Sequence, residues 1–526
     1  AWGYADKLPA RKAQIALGRQ ISALFGVEPQ EPREPVPLAG VALRPSRVKA
    51  PSAWCTDAHA ERVTHTFGRS YPDQLRGFGG DFAPAPDLVA RPGGERELSH
   101  LFEWAAGAGV AVVPYGGGTS VVGGVTYAGE RPWVSLDLGG FDQALEIDPL
   151  SRLARLQAGL TGPAVEAALA PHGLTLRHFP QSFEFSTVGG WIATRAGGHF
   201  ATVYTHIDDL VAGVRMLTPG TGVFETRPLP GSGAGPSPDR LVLGSEGTLG
   251  VITDAWLRVR PRPRWRARAA VHFDGFDEAV AATRDLAQSG LYPTNCRLLD
   301  KFEAMVNGVT GDGRHVLLVA FESADHPLDD AIARAVEIGR AHGGRCPRGP
   351  KLSDAEAEAE AGREADAAGQ WKSAFIDAPY LQPTLITLGI IAVTFETACS
   401  WGAFPALHAA VKESVRTAAA QGSRGLRGHL GCRFTHVYPD GPAPYYTFIV
   451  PSRSGAEMAD WARIKHAASD AIVAHGGTIT HHHAVGRTHR PWAERQRPAG
   501  FTEVLRAARQ VLDPAGILNP GALITG

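Results

Sequence analysis

The sequence lacks a disulfide framework, an excess of charge of either sign and a long apolar run. Its five cysteines are scattered without a C-x-x-C pair, which argues against disulfides and a zinc site and favours a reducing compartment. The 52 basic and 53 acidic residues give a net charge of -1, so neither nucleic acid nor an acidic membrane surface is indicated as a partner. No run approaches about 18 apolar residues, and the first residues lack the pattern of a signal peptide. We therefore expect a cytoplasmic protein with no transmembrane segment.

Glycine, by contrast, is abundant, and its most informative cluster follows a predicted strand. The apolar residues 110–113 run directly into Pro-Tyr-Gly-Gly-Gly-Thr-Ser at 114–120. Such a loop exposes consecutive backbone N–H groups, because glycine permits a positive φ and the close approach of a ligand. The spacing matches neither G-x-G-x-x-G nor G-x-x-x-x-G-K-[ST], which argues against a Rossmann fingerprint and a Walker A loop. The loop predicts a site for a diphosphate.

Two further loops, at residues 178–198 and 243–252, are also rich in glycine, serine and threonine. Any one of these loops is as readily a plain turn as a binding site. Three of them within one stretch of short strands and helices indicate a long ligand held mostly by backbone donors, as a dinucleotide would be.

Three adjacent histidines, His481, His482 and His483, are the second strong signal. On a strand, neighbouring side chains point to opposite faces, so at most two of these imidazoles would converge on one point. A three-ligand metal site is therefore not expected. The histidines are interpreted as polar or proton-handling residues of a site, with a structural core role left open.

A third cluster combines the segment 431–438 with Tyr445 and Tyr446. A tyrosine can donate and accept a proton if neighbouring cations lower its pKa, and Arg433 or the histidines would have that effect. Packing alone remains the alternative for both tyrosines.

Breaker-rich residues divide the chain, most clearly the Arg-Pro-Arg-Pro-Arg run at 260–264. The four predicted segments are an N-terminal extension (1–80), a cofactor domain (81–262), a cap or substrate domain (263–490) and a C-terminal segment that folds back on the cofactor domain (491–526). The extension contains an amphipathic helix at 10–25 and is expected to carry no chemistry. The alanine- and glutamate-rich stretch 355–361 is interpreted as a solvated helix face or a linker.

The glycine loops resemble those of the vanillyl-alcohol-oxidase/PCMH-type FAD superfamily, and within it the chain is similar to the alkyldihydroxyacetonephosphate synthase family over most of its length. The segments that carry the resemblance are 114–120, 182–191, 194–197, 244–253, 297–300, 395–397, 481–483 and 513–521. The resemblance implies an α+β fold. It consists of a two-lobed PCMH-type FAD-binding domain, a ferredoxin-like cap domain over the isoalloxazine and a C-terminal return to the FAD domain.

The resemblance also implies FAD as the cofactor, bound without a covalent link. The corresponding loop of bicovalent relatives carries a histidine, whereas Gly118 and Thr119 offer none. The residues expected to bind FAD are Pro114, Tyr115, Gly116, Gly117, Gly118, Thr119, Ser120, Pro180, Gln181, Ser182, Ser186, Thr187, Gly189, Gly190, Thr194, Arg195, Ala196, Gly197, Glu246, Gly247, Thr248 and Ile252.

In the synthases a flavin ring nitrogen attacks the ketone carbon of acyl-dihydroxyacetone phosphate, the fatty acid leaves, and a fatty alcohol takes its place without net redox change. The resemblance maps the acid/base tyrosine onto Tyr445 and a functionally important arginine onto Arg297. The candidate catalytic residues are Tyr445, His481, His482, His483, Arg297 and Arg433, and the candidate substrate contacts are Gln382 and Tyr446.

Gln382 stands where the synthases carry an arginine that grips the substrate phosphate, and a neutral amide lacks that charge-assisted pairing. The first prediction is therefore an FAD-dependent oxidoreductase that takes two electrons from a small alcohol, a hydroxy acid or a related C–H donor. The alternative is a non-redox alkyl transferase, in which Arg297, Arg433 or another cation binds the phosphate. A non-enzymatic flavin-binding protein is a third, weaker alternative. A small-molecule substrate is expected, and a homodimer is left open.

Overall fold

The computed structural model describes residues 4–200, 202–354 and 380–525. They form the predicted α+β fold, with sheets of four, five and seven strands and a separate two-stranded pair. The alanine- and glutamate-rich stretch at 355–361 lies outside the described residues. Within the described ranges, no helix combines the length and the low polarity needed to span a lipid bilayer.

Strands and helices are numbered in chain order. The strands are β1 (Cys55–Thr56), β2 (Leu88–Ala90), β3 (Ala111–Tyr115), β4 (Trp133–Asp137), β5 (Ala144–Asp148), β6 (Leu153–Gln157), β7 (Leu174–Thr175), β8 (Val211–Thr218), β9 (Gly222–Glu225), β10 (Val251–Arg258), β11 (Arg260–Pro261), β12 (Trp265–Phe273), β13 (Asn295–Leu299), β14 (His315–Ser323), β15 (Lys351–Asp354), β16 (Ile390–Glu396), β17 (His429–Val437) and β18 (Pro442–Pro451). The α-helices are α1 (Arg11–Phe25), α2 (His59–Thr64), α3 (Tyr71–Phe78), α4 (Glu95–Ala108), α5 (Gly162–Leu169), α6 (Val188–Thr194), α7 (Asp239–Val242), α8 (Phe276–Gln288), α9 (Lys301–Val306), α10 (Asp329–Ala341), α11 (Phe404–Ala420), α12 (Glu457–Ala474), α13 (Arg490–Gln496) and α14 (Ala499–Leu512). Residues 380–387 are also helical.

The first half of the molecule contains two sheets. One has the order β1-β2-β4-β3, in which β2, β4 and β3 run parallel. Its strand β3 is buried at Ala111, Val112 and Val113, as expected for a parallel strand covered on both faces. The other sheet is antiparallel with the order β5-β6-β10-β8-β9. The glycine loop 116–120 therefore leaves the carboxyl end of a parallel strand, which is where open α/β sheets bind ligands.

The C-terminal segment returns to this half of the molecule and extends the parallel sheet. The amide of Val112 donates to the carbonyl of Ile517 at 2.8 Å, and the amide of Asn519 donates to the carbonyl of Val112 at 2.8 Å. The Asp513 carboxylate fixes the turn before them by accepting from the amides of Ile517 and Leu518 at 3.0 and 2.8 Å. The predicted fold-back is thus confirmed, and it places Asn519 beside the glycine loops.

The second half is built on one antiparallel sheet with the order β15-β12-β14-β13-β17-β18-β16. Strands β12 to β15, with α8 and α10, follow the β-α-β-β-α-β order and the 4-1-3-2 arrangement of a ferredoxin-like unit. Strands β16 to β18, with α11 and α12, repeat the first five elements of that pattern, and the two units join edge to edge at β13 and β17. The ferredoxin-like cap is thus a pair of related units.

Strand alternation separates the two faces of this cap sheet. On β18, Tyr446 and Phe448 point into the apolar core below the helices, whereas Tyr445 and Thr447 point to the opposite face. The adjacent strands obey the same rule, so that Arg297, Arg433 and Thr394 share that opposite face. A register shift between Phe434 and His436 inserts an extra residue on β17, and both Thr435 and His436 turn to the same side. One face of the cap thereby gathers its polar side chains.

Helix α1 and the chain that follows it, up to Arg33, pack on the cap, whereas β1 of the same extension joins the first sheet. Helix α1 confirms the amphipathic helix predicted at 10–25, and its residues Leu17, Ile21 and Phe25 cover an apolar cluster that includes Leu385 and Ile449. The chain behind it is fixed by Arg33, whose amide and guanidinium donate to the carbonyls of Thr387 and Ile386, both at 2.9 Å. This segment buttresses the helix 380–387 from outside.

Candidate active site

A cavity of about 390 Å³ lies between the three glycine loops and the polar face of the cap sheet. Most of the residues predicted to bind cofactor or substrate line it together. From the first half these are Pro114, Tyr115, Gly116, Gly117, Gly118, Thr119, Ser120, Pro180, Gln181, Ser182, Ser186, Thr187, Gly189, Gly190, Thr194, Ala196, Gly197, Glu246, Gly247 and Ile252. From the second half they are Arg297, Gln382, Arg433, Tyr445, His482 and His483. Loops separated by more than a hundred residues thus form one site.

The wall of the cavity in the first half is backbone packed against backbone. A Cβ added to Gly117 would overlap the carbonyl oxygen of Phe185, and one added to Gly116 would overlap the hydroxyl of Thr187. Gly118 has a φ of +63°, a conformation that glycine adopts without strain. Glycine is therefore required here because the first and second loops are in contact. The absence of side chains also leaves the backbone amides of these loops accessible to a ligand.

The amides of the first loop are well suited to an anion. Within the described part of the chain, the backbone N–H groups of residues 116–120 have no hydrogen-bond acceptor. Thr187 caps α6 by accepting from the amide of Gly190, so the first turn of that helix also faces the cavity. Consecutive amides that lack an internal partner and line a cavity form the donor set that a diphosphate needs. The cradle therefore fits the predicted dinucleotide.

The third loop ties the cradle to the histidine segment. The buried carboxyl group of Glu246 accepts from the amides of Val485 and Gly486 at 2.8 and 2.7 Å. The side-chain amide of Asn519 donates to the backbone carbonyls of Glu246 and Gly124 at 2.8 and 3.1 Å. Burial raises the pKa of Glu246 to about 7. Residues from three distant parts of the sequence thus meet at one edge of the cavity.

The wall of the cavity in the cap is built from buried ionisable side chains. The guanidinium of Arg433 is paired with the Glu303 carboxylate at 2.7 Å and lies 3.9 Å from the centre of the Tyr445 ring. The neighbouring Arg297 is almost fully buried and donates to the carbonyl of His199 at 2.9 Å. Burial, followed by repulsion from Arg433, lowers the pKa of Arg297 to about 9. The charge of Arg433 is thus largely balanced inside the protein before any substrate arrives.

The three histidines do not lie on a strand, so that prediction is wrong. Residues 481–483 form a bend wrapped around Glu396, the last residue of β16. Its carboxylate accepts from the amides of His481 at 2.6 Å and His483 at 3.0 Å, and from the hydroxyl of Thr480 at 2.6 Å. Burial alone would raise the pKa of Glu396, but the histidines, which become charged only at low pH, and the Thr480 hydroxyl hold it well below its usual range. The backbone of the three histidines thus follows the Glu396 carboxylate of the cap and forms a bend instead of a strand.

The bend divides the imidazoles between two sides. His482 and His483 line the cavity, with ring centres 6.0 and 5.4 Å from that of Tyr445. His481 turns away and bonds to the hydroxyl of Tyr438 at 2.7 Å. Burial lowers the pKa of His482 to about 3 and that of His483 to about 4. Both imidazoles are therefore neutral near pH 7 and able to accept a proton.

The protonation of Tyr445 also differs from the prediction. Burial raises the pKa of the Tyr445 phenol, and Arg433 opposes this without reversing it. The histidines contribute no positive charge, because they are neutral themselves. Tyr445 is therefore a protonated phenol at neutral pH, which is a hydrogen-bond and proton donor.

Four predicted residues do not line the cavity. Tyr446 packs in the apolar core against Phe395, so its predicted contact with substrate is not made. Arg195 lines a separate pocket and pairs with Asp208 at 2.7 Å. Thr248 is buried and donates its hydroxyl to the carbonyl of Ser245, while His481 lies behind His482. The sequence pattern identified these positions, but not the direction of their side chains.

The structure also adds cavity residues that the sequence did not reveal. Arg69 and Gln74 line the cavity from the N-terminal extension, which was expected to carry no chemistry. Glu303, His436 and Asn519 line it as well. Asn519 lay within the tail motif, whereas nothing in the local sequence marked Arg69 or Gln74.

Comparison with known proteins agrees with this geometry. Residues 86–227 match the family model described as an FAD binding domain, and residues 262–523 match that of FAD linked oxidases, C-terminal domain. The chain is 31% identical over 487 residues to the alkyldihydroxyacetonephosphate synthase of Dictyostelium discoideum, covering 89% of this chain and 78% of that protein. It is 27% identical over 446 residues to the glycolate oxidase subunit GlcD of Bacillus subtilis, covering 83% of this chain and 89% of that protein.

A solved structure of an alkyldihydroxyacetonephosphate synthase superposes with a TM-score of 0.77 at 25% identity, covering 95% of this chain and 90% of that chain. The cradle and the FAD-binding family model together identify the dinucleotide as FAD, which confirms the predicted cofactor. The chain belongs to the FAD-linked oxidases of the vanillyl-alcohol-oxidase/PCMH superfamily, a family of enzymes.

Proposed function

We propose that the protein is an FAD-dependent alkyl transferase of the alkyldihydroxyacetonephosphate synthase type. In that reaction a fatty alcohol replaces the acyl group of acyl-dihydroxyacetone phosphate, and a fatty acid is released. The observation that carries the proposal is a cavity with an apolar end and, at its other end, the acid/base groups Tyr445 and His482. The synthases that are 29–31% identical over most of this chain support the same reaction class.

One end of the cavity is suited to a hydrocarbon chain. Its lining includes Val306, Leu381, Leu385, Ala392 and Ile449. Val306 and Leu381 are 44% and 37% exposed, so the apolar lining extends to the protein surface. Because each buried methylene contributes about 0.8 kcal/mol, such a lining favours a long alkyl or acyl group over a small hydroxy acid.

The other end supplies the acid and the base. Tyr445 holds its proton at neutral pH and can give it to the oxygen of a departing carboxylate or of a ketone. His482 and His483 are neutral and can accept the hydroxyl proton of the incoming alcohol. Bound FAD supplies the reactive ring nitrogen, and the chain supplies the proton transfers, the orientation and the exclusion of water.

The test is an anaerobic incubation of the FAD-loaded protein with palmitoyl-dihydroxyacetone phosphate and hexadecanol. Mass spectrometry should find the hexadecyl ether and palmitate in equal amounts, with neither substrate oxidised. Gln382→Arg should lower the KM for the phosphate substrate, because it places a cation at the cavity wall. Absence of ether while the protein binds FAD would reject the transferase.

An oxidoreductase remains a second candidate, and the charges of the site favour it. Gln382 lines the cavity as a neutral amide that donates to the carbonyl of Ala392 at 3.3 Å, and Arg433 is already paired with Glu303. A doubly charged phosphate therefore finds less positive charge than such a ligand needs. Loss of the flavin colour when alcohols or hydroxy acids are added anaerobically would establish this reaction, and persistence of the colour with all of them would reject it.

A further inference from the structure

A second pocket opens on the outer side of the histidine bend. It lies between residues 202–209 and the cap, and Thr205, His206 and Tyr438 form its inner wall. Its outer wall is accessible to solvent, since Tyr204 and Tyr292 are 41% and 59% exposed. This pocket and the flavin cavity have no lining residue in common.

A chain of hydrogen bonds connects the two spaces. His482, which lines the flavin cavity, contacts His481 through their Nδ1 atoms at 3.0 Å. The Nε2 atom of His481 lies 2.7 Å from the hydroxyl of Tyr438. That hydroxyl also donates to the hydroxyl of Thr205 at 3.2 Å, inside the second pocket. His481 lines neither space and is the link that crosses the wall.

We propose that His482, His481, Tyr438 and Thr205 carry protons between the flavin cavity and the second pocket. In the outward direction, Nε2 of His482 takes up a proton and its Nδ1–H passes to Nδ1 of His481. The Nε2–H of His481 then passes to the Tyr438 oxygen, whose own proton leaves for the Thr205 hydroxyl or for water. One proton enters and one leaves, no group keeps a charge, and return to the starting tautomers resets the chain.

The alternative reading of these imidazoles as a metal site fits less well. Nitrogen atoms of His436, His481 and His482 lie within 4.8 Å of one another. Nε2 of His436, however, lies 3.0 Å from the carbonyl of Gly198, which can only accept, so this nitrogen must carry the proton. Its Nδ1 lies 3.1 Å from the Thr435 hydroxyl, and the two Nδ1 atoms of His481 and His482 share a hydrogen bond. Both nitrogens of His436 and of His481 are thus already engaged, and only Nε2 of His482 keeps a lone pair for a cation.

The path also gives the buried acid/base groups a polar route to solvent, whereas the opening of the cavity at Val306 and Leu381 is apolar. Tyr445 is 6% exposed, the backbone of the histidine bend is held by Glu396, and the residues that follow it, Val485 and Gly486, are held by Glu246. Either candidate reaction moves a proton off an alcohol, and the relay exports that proton without leaving an ionised side chain in the buried wall. The relay depends on the proposed function only because the reaction must release a proton.

The test uses Tyr438→Phe in the FAD-loaded protein, with Tyr292→Phe as the matched control from the same pocket. Photochemical reduction of the holoenzyme consumes a proton at the site without any substrate, and a pH indicator follows its uptake from the medium. Since positioned proton transfer contributes on the order of 10²–10⁴-fold, Tyr438→Phe should slow this uptake at least about tenfold. Tyr292→Phe should leave it unchanged. Added imidazole should restore the rate in Tyr438→Phe, because a diffusible base can replace the missing hydroxyl.

A second variant, Thr205→Val, keeps the test informative if Tyr438→Phe folds poorly. It should slow uptake by a smaller factor, since water in the second pocket can take the place of the hydroxyl. Equal uptake rates in Tyr438→Phe and Tyr292→Phe, at unchanged flavin absorbance and melting temperature, would overturn the relay. Because this assay needs no substrate, its outcome is independent of whether the transferase, the oxidoreductase or neither reaction is found.

Discussion

The two walls of the flavin cavity are built on different physical principles. The wall in the first half consists of glycine and backbone amides. Its constraint is steric, because a side chain at Gly116 or Gly117 would collide with the second loop. The wall in the cap consists of buried ionisable groups, Glu396 beneath the histidine bend and Arg433 paired with Glu303. The first wall depends on shape and the second on charge.

This difference decides how each wall responds to change. A close backbone contact has no adjustable part, so one added methyl group forces a shift of the chain. A buried charge network tolerates similar volumes but loses stability when one charge is removed or when protons are added. The contact between the first and second loops should therefore be sensitive to side-chain size and insensitive to pH, and the cap wall the reverse.

The largest effect is expected from Gly117→Ala. Its methyl group would overlap the backbone oxygen of Phe185, which cannot turn aside, so the protein should no longer hold FAD. Flavin content, read from the absorbance released by acid precipitation, measures the loss and also tests the predicted absence of a covalent link. Gly233→Ala is the control, since a Cβ there meets nothing within 4 Å. Full flavin content in Gly117→Ala would contradict the shape argument.

Next in size is Tyr445→Phe, with its neighbour Tyr446→Phe as the matched control. Removal of the cavity-facing phenol should lower turnover by about 10²–10⁴-fold while FAD stays bound, because a positioned proton donor is lost. Tyr446→Phe removes a hydroxyl from the apolar core and should cost only about 1 kcal/mol of stability, with turnover unchanged. Turnover rates and melting temperatures of the two variants, measured under the same conditions, test this prediction. Equal losses would mean that strand alternation does not separate their roles.

A smaller loss of turnover is expected from Glu396→Gln. The neutral amide keeps the volume of the side chain but removes the negative charge that accepts hydrogen bonds from the amides of His481 and His483. The imidazoles should therefore shift from their positions. A displacement of about 1 Å can cost on the order of 10²-fold in rate. The exposed Glu413→Gln serves as the control. Wild-type turnover in Glu396→Gln would show that the bend is ordered without the carboxylate.

The smallest effect is a dependence of stability on pH. The folded-state pKa of His482 is about 3 and that of His483 about 4, both below the value of about 6.5 expected when unfolded. Between the folded-state and unfolded-state pKa values the unfolded chain therefore binds more protons than the folded protein. The stability that each histidine contributes is fully present above about pH 6.5 and is lost as the pH falls, by up to about 1.4 kcal/mol per pH unit. Glu396, whose pKa is also lowered, acts in the same direction.

Urea unfolding at about pH 7.5 and about pH 5 measures this slope. His482→Gln should flatten it, whereas His326→Gln, at an exposed histidine, should not. Equal slopes in the wild-type protein and in His482→Gln would contradict the assignment of neutral, buried imidazoles. The raised pKa of Glu246 acts in the opposite direction, but it does so in both proteins and cancels in this comparison.

The same contrast explains what the sequence could predict. The cradle was recognisable because three loops rich in glycine, serine and threonine lie within one stretch of the chain, and the segments 114–120 and 182–190 each carry their signal locally. The fold-back of the tail was recognisable from its turn formers. These features depend on residues that are neighbours in the chain.

The cap wall was predicted only in part. The tyrosine and the histidines were identified, but Glu396 bonds to His481 across 85 positions, and Arg433 pairs with Glu303 across 130. No periodicity or spacing encodes such a partner. The bend of the histidines, the protonated state of Tyr445 and the burial of Tyr446 all follow from these tertiary contacts or from strand register, which is why they differed from the prediction.

The measurement that bears most directly on the account is a crystal structure of the FAD-bound protein. The account predicts the diphosphate on the amides of residues 116–120 and the isoalloxazine in contact, within about 4 Å, with both Tyr445 and His482. Electron density that places the ring outside the cavity, or away from both side chains, would contradict it.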